Sequence, residues 1–160
     1  MKASALKGMP VLGINDGIHL GIIEELLVDA QARRVAALVI GLSGQTRIVP
    51  FDQIESIGDD AVTVERAEVV QDASPQDPLA QLPTLGSLLR LSVVDVGGTR
   101  QGTVAEVEID QADGRITEVK VHQGGILGLG GTTLTLPVAA IRSLGPQLIM
   151  IEVPQAPPSP

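Results

Sequence analysis

Hydrophobic positions along the chain come in short runs that alternate with polar ones at a period of two, the spacing of a strand with one buried face. The clearest run is Val104-Ala-Glu-Val-Glu-Ile-Asp110, which puts Ala105, Val107 and Ile109 on one face. Asp110-Gln-Ala-Asp-Gly-Arg115 follows, with an Asp-Gly turn signal that joins two antiparallel strands. Runs of this kind, rich in β-branched residues and bounded by turn formers, predict strands near 9–14, 21–29, 34–41, 45–49 and 61–65. A second set is predicted near 87–95, 102–110, 115–122, 132–136 and 147–153. After Pro50 and Pro137 a single helical turn is expected, over Phe51–Ile54 and Val138–Ile141.

The two sets are copies of one unit. Shifted by 81 residues, Gly21-Ile-Ile-Glu-Glu-Leu-Leu-Val-Asp29 falls on Gly102-Thr-Val-Ala-Glu-Val-Glu-Ile-Asp110. Gly17, Glu25 and Arg34 likewise meet Gly98, Glu106 and Arg115. Further on the offset becomes 87, so that Ile48-Val-Pro50 meets Thr135-Leu-Pro137, and the six extra residues of the second copy fall in an expected loop at 123–132. A sheet of five or six short strands must close, or pack on a twin, to hide its edges. The expected fold is therefore all-β: two tandem small β-barrels, each with a short helical turn. The first repeat is assigned to 1–70 and the second to 84–153. The polar, Pro-containing stretch 71–83 reads as a linker, and the Pro-rich tail 154–160 is expected to be disordered.

Composition narrows what such barrels do. The core must be aliphatic, because Phe51 is the sole aromatic residue. The net charge of −8 leaves no basic cluster to neutralise phosphates, and no aromatic platforms exist for base stacking. Direct nucleic-acid binding is not expected. Without cysteine the chain offers no disulfide, thiolate nucleophile or zinc–thiolate site. No apolar run reaches the ~18 residues of a membrane span, so the reading is a soluble, cytoplasmic protein.

The ordered residues Gly21, Ile23, Glu25, Asp29 and Pro50, repeated as Gly102, Val104, Glu106, Asp110 and Pro137, resemble the PRC-barrel family. That family is named from the photosynthetic reaction centre H subunit and occurs also in a ribosome-maturation factor. Gly124-Gly-Ile-Leu-Gly-Leu-Gly-Gly131 is similar to the glycine-rich loop of many stand-alone bacterial members. The resemblance covers both repeats and implies a barrel fold and an interaction role, with no reaction attached. The chain lacks the membrane helix of the one relative and the partner domain of the other, so neither specific function carries over.

Residues with possible chemistry read as structural. Gly125-Ile-Leu-Gly-Leu-Gly-Gly-Thr132 matches a phosphate loop except that Gly131 stands where the lysine belongs, and a strand rather than a helix follows. His19 and His122 have no counterpart across the duplication, whereas a metal or catalytic site needs convergent groups. Glu25, Glu106, Asp29 and Asp110 recur in both copies, as fold-determining residues do. No cofactor, metal or catalytic activity is expected.

The candidate site is instead an interface. Alternation places Val104, Glu108, Glu118 and Lys120 on the outer face of the second barrel, and their first-copy equivalents Ile23, Leu27, Ala37 and Val39 are all apolar. Such a face suits a protein partner or a two-fold homodimer, the alternative being a local bulge that returns Ile23 and Leu27 to the core. Ile126, Leu127 and Leu129 of the glycine-rich segment are further contact candidates. The expected function is a non-enzymatic protein–protein interaction or adaptor module, with a ribosome-assembly or RNA-processing accessory, acting through a ribosomal protein, as the alternative.

Overall fold

Residues 1–126 and 129–152 are described by a computed structural model, the side chains of 125–130 excepted. Strands of the first copy are Pro10–Gly13 (β1), His19–Asp29 (β2), Arg34–Leu42 (β3), Gln45–Pro50 (β4), Ile54–Ile57 (β5), Val62–Val64 (β6) and the short Gln71–Asp72 (β7). Those of the second are Ser92–Asp95 (β8), Arg100–Ile109 (β9), Ile116–Ile126 (β10), Leu129–Pro137 (β11), Ile141–Leu144 (β12) and Leu148–Ile151 (β13). The strand orders β5-β6-β1-β2-β3-β4-β7 and β11-β10-β9-β8-β13-β12 are the same topology, with β7 as an addition to the first. In each copy the first and last core strands run parallel, β1 with β6 and β8 with β13, which brings the ends of the repeat together.

Strand pairing departs from strict alternation at equivalent places in the two copies, most consequentially between β2 and β3 and between β9 and β10. Val39 and Ile40 pair with Glu25 and Ile23, leaving Glu24 as an extra residue on β2. Lys120 and Val121 pair with Glu106 and Val104, leaving Ala105 extra on β9. The bulge turns Val104 into the core and Ala105 out of it, so the expected inward trio is in fact Val104, Val107 and Ile109. Ala36 and Thr117 are the extra residues of a second matched pair of bulges. Gly21 and Gly102 adopt φ of 147° and 148°, and a Cβ on Gly21 would stand 2.9 Å from the Gly41 carbonyl oxygen, so both positions require glycine.

Other boundaries also shift. The helical turns after Pro50 and Pro137 are 3-10 turns over Phe51–Gln53 and Val138–Ala140. The strand expected from 87 begins at Ser92, because Thr84 caps a helical turn, Leu85–Leu88 (α1), by accepting the Ser87 amide at 3.1 Å. The expected loop at 123–132 is largely ladder: Gln123 pairs with Thr132, Gly124 with Gly131 and Ile126 with Leu129. In the first copy the same hairpin ends at the Leu42–Gln45 pair through Ser43 and Gly44, whose φ of 53° and 82° make a two-residue turn. The six extra residues thus lengthen a hairpin.

The two copies exchange their leading segments about a pseudo-two-fold axis. The Val28 amide donates to the Pro83 carbonyl at 2.8 Å, and its equivalent, the Ile109 amide, donates to the Met1 carbonyl at 2.8 Å. Glu106 accepts the Ser4 amide at 3.1 Å, and Glu25 accepts that of Gly86 at 3.4 Å. On the axis Arg34 faces Arg115; the Val35 amide bonds the Gly114 carbonyl at 2.8 Å and the Ile116 amide bonds that of Arg33 at 2.9 Å. Such reciprocal pairing is the signature of an isologous interface, here within one chain. Apart from Leu27, Ala37 and Ile48, the buried apolar side chains of both copies, from Ala3 and Leu6 to Ile149 and Ile151, form one contiguous core.

Candidate interaction surface

The carboxylates repeated across the duplication act on backbone. Asp29 accepts the amides of Gln31 and Ala32 at 3.0 and 3.1 Å, and Asp110 accepts that of Ala112 at 2.8 Å. Glu25 and Glu106 clip the exchanged segments, Glu25 with the help of an ion pair to Lys7 at 3.1 Å. Sequence reasoning missed Asp95, which organises the β8–β9 turn. Hydrogen bonds from the Thr99 amide, the Gln101 side chain and the Gly97 amide outweigh desolvation there and hold its carboxyl below the usual carboxylate range. His19 and His122 are both exposed, and among the described residues no three metal-ligating side chains converge.

The apolar outer face of the first copy is occupied from within the chain. Ile23 lies in the barrel core, returned there by the bulge at Glu24. Leu27 and Ala37 do point outward, but with Ile48 they are buried beneath Ala73, Leu79, Ala80 and Leu82 of the segment joining the copies. Val39 is half-buried at the margin of this cluster. The face read from sequence as one for a second molecule is therefore covered by a strap. The strap starts with β7, which pairs antiparallel with β4 at Arg47 and Ile48, and continues through the 3-10 turn Leu79–Gln81. In the second copy Glu108, Glu118 and Lys120 stand at the matching outer positions and need no cover, and Lys120 pairs with Glu108 at 3.4 Å. Leu127 and the side chains of Ile126 and Leu129 lie outside the described residues.

Two other features remain outward. Ile14, Ile18, Ile22 and Leu42 are exposed aliphatics at one end of the first sheet, where the β1–β2 and β3–β4 turns meet. The second copy carries Gln101, Thr103 and Gln123 at that end, with Gln123 bonded to Gln101 at 3.4 Å. The second feature is the outer edge of β11. On β4 that edge takes β7; on β11 the equivalent positions Leu134 and Thr135 pair with no outer strand among the described residues. Because this contrast depends on the order of strands in space, no local sequence signal carries it.

No helix among the described residues is long and apolar enough to cross a membrane. No curated protein matches the chain in a sequence comparison. The family model of the PRC-barrel domain matches it twice, over residues 1–71 and 84–156. Domains of that family are generally non-catalytic protein-interaction modules. The duplicated glycines, the clipping glutamates and the shared strand order agree with the match. The chain belongs to the PRC-barrel domain family and carries two copies of the domain in tandem.

Proposed function

We propose that the chain is a non-enzymatic adaptor whose partner adds an extended segment along the outer edge of β11. The observation that supports this reading is the contrast between the two equivalent edges. β4 pairs with β7 at Arg47 and Ile48, whereas β11 has only β10 as a neighbour among the described residues. Exposed edges in natural proteins are usually blunted by charge, bulges or proline. β11 runs Leu129-Gly-Gly-Thr-Thr-Leu-Thr-Leu-Pro137 with no charged residue, no register shift against β10, and proline only at its end. Strand addition supplies affinity through the main chain and specificity through alternate side chains, here Thr133 and Thr135. The net charge of −8 favours partner segments with basic flanks. Neither the fold nor the family match favours the ribosome-assembly alternative.

A photoreactive residue placed at Thr133 or Thr135 in the native host tests this. Both positions are expected to give a discrete cross-linked adduct, and Gln31 in the β2–β3 turn none. An adduct at twice the chain mass identifies a second copy as the strand donor, and another mass identifies a different protein. Absence of adducts from β11, or equal labelling from Gln31, overturns the reading.

A further inference from the structure

We propose that the junction between the two barrels binds an anionic amphiphile, a single unbranched alkyl chain ending in a carboxylate or phosphate. A hollow of about 250 Å³ lies there, walled by Val28 of the first barrel, Pro83, Leu88 and Leu91 of the exchanged segment, and Leu144 and Pro146 of the second barrel. Its two hydroxyls are engaged by their own helical turn. Ser87 Oγ donates to the Thr84 carbonyl at 2.8 Å, and Thr84 Oγ1 accepts the Ser87 amide at 3.1 Å. A hollow with so few polar partners holds water poorly and takes hydrocarbon well. One of ~150 Å³ accommodates benzene, so this one suits a chain of roughly eight carbons.

The pseudo-two-fold axis indicates what fits. Met1 occupies the place of Pro83 on the opposite side, since its carbonyl receives the Ile109 amide as that of Pro83 receives the Val28 amide. There a flexible unbranched side chain packs against the core with 12% of its surface exposed. On the Pro83 side a compact ring replaces it.

The charge lies on the same side. A second hollow shares Ala30 and Leu144 with the first and is walled by Arg33 and Arg142. Arg142 is paired with Glu152 at 2.7 Å. Arg33 donates only to the carbonyls of Val138 and Arg142, at 3.2 and 3.3 Å, and no carboxylate lies within ion-pair distance of it among the described residues. Carbonyl bonds orient a guanidinium but leave its charge open to an anion. Arg33 also sits at φ 55°, where the second copy has Gly114 at φ 77°. The first copy thus holds an arginine in a conformation glycine adopts freely, and does so beside the hollow.

Titration of the full chain with octanoate, octyl phosphate, octanol and acetate, followed through the methyl resonances of Val28, Leu88 and Leu144, tests the site. Octanoate is expected to saturate these shifts and acetate to leave them unmoved. Each methylene removed from the chain is expected to weaken binding about fourfold. Arg33→Gln should bring octanoate down to the affinity of octanol, and Ser87→Leu, or Ala30→Leu should the first variant fail to fold, should abolish both. Tighter binding of octyl phosphate than of octanoate assigns the headgroup to a phosphorylated lipid, and the reverse to a free acid. The proposal is overturned if octanoate does not saturate these shifts, if filling the hollow leaves its binding intact, or if Arg33→Gln leaves the octanoate-to-octanol ratio unchanged. It stands independently of the β11 edge, which none of these ligands would contact.

Discussion

Leu27→Glu is expected to destabilise the protein by about 4 kcal/mol and to leave its oligomeric state unchanged. Leu27 is 4% exposed and lies under the strap with Ala37 and Ile48. Removing such a side chain forfeits about 2–3 kcal/mol of burial, and a carboxylate in the same space either stays ionised without a partner or lifts the strap. For a chain of this size the loss corresponds to a fall of roughly 8–16 °C in Tm. The matching position in the second copy makes the contrast internal. Glu108 pairs with Lys120 at 3.4 Å and with the N-terminal ammonium at 3.4 Å, and both pairs are partly solvated. Glu108→Leu is expected to cost about 1 kcal/mol or less. Thermal melting and sedimentation of the two variants check the pair. A Leu27→Glu protein of unchanged Tm and halved mass would mark the face as one between molecules.

The second large effect concerns the halves. A fragment of residues 1–82 is expected to have no folded monomer, its equilibrium lying between unfolded chain and a dimer that repeats the exchange. Within the intact chain α1 contacts β2 and buries Leu85 and Leu88, while the turn Ala3–Leu6 contacts β9 and buries Ala3 and Leu6. Losing two leucines from the core removes about 3–6 kcal/mol. That is comparable with the whole stability of a domain of this size. A second fragment can return the missing cover, since Glu25 and the carbonyl at residue 1 stand where their second-copy equivalents do. A melting temperature that rises with fragment concentration supports the exchange. A monomer with the stability of the parent would contradict it.

The duplication was legible because Gly21, Glu25, Asp29 and Pro50 each do a backbone task that the second copy must repeat with the same residue type. A bulge on β2 was the alternative for Ile23 and Leu27, but the bulge on β9 was not legible, since a period-two reading assumes that every residue finds one partner. That assumption misplaced Val104 and Ile23, both of which lie in the core. The change from apolar to charged outer faces was a true signal, but its occupant was hidden. Leu79, Ala80 and Leu82 sit in a stretch whose Pro, Asp and Gln content resembles a free linker. β5 and β12 escaped notice because Ile54-Glu-Ser-Ile57 and Ile141-Arg-Ser-Leu144 expose their middle residues and become strands only through β6 and β13. The glycine-rich hairpin was read as a loop from glycine's weak strand preference, which continued pairing between β10 and β11 overrides. The position of β11 at the edge of the described sheet and the junction hollow arise from the arrangement of distant segments, and no local pattern encodes them.

Differential scanning calorimetry of the intact chain tests most directly whether the two barrels are one structure. Exchanged segments, reciprocal bonds across the Arg34–Arg115 axis and a single contiguous core predict one transition, with equal calorimetric and van't Hoff enthalpies. Val93→Ala, a fully buried site of the second barrel, should lower that single transition without splitting it. Two separable transitions, with only one of them moved by Val93→Ala, would contradict the account.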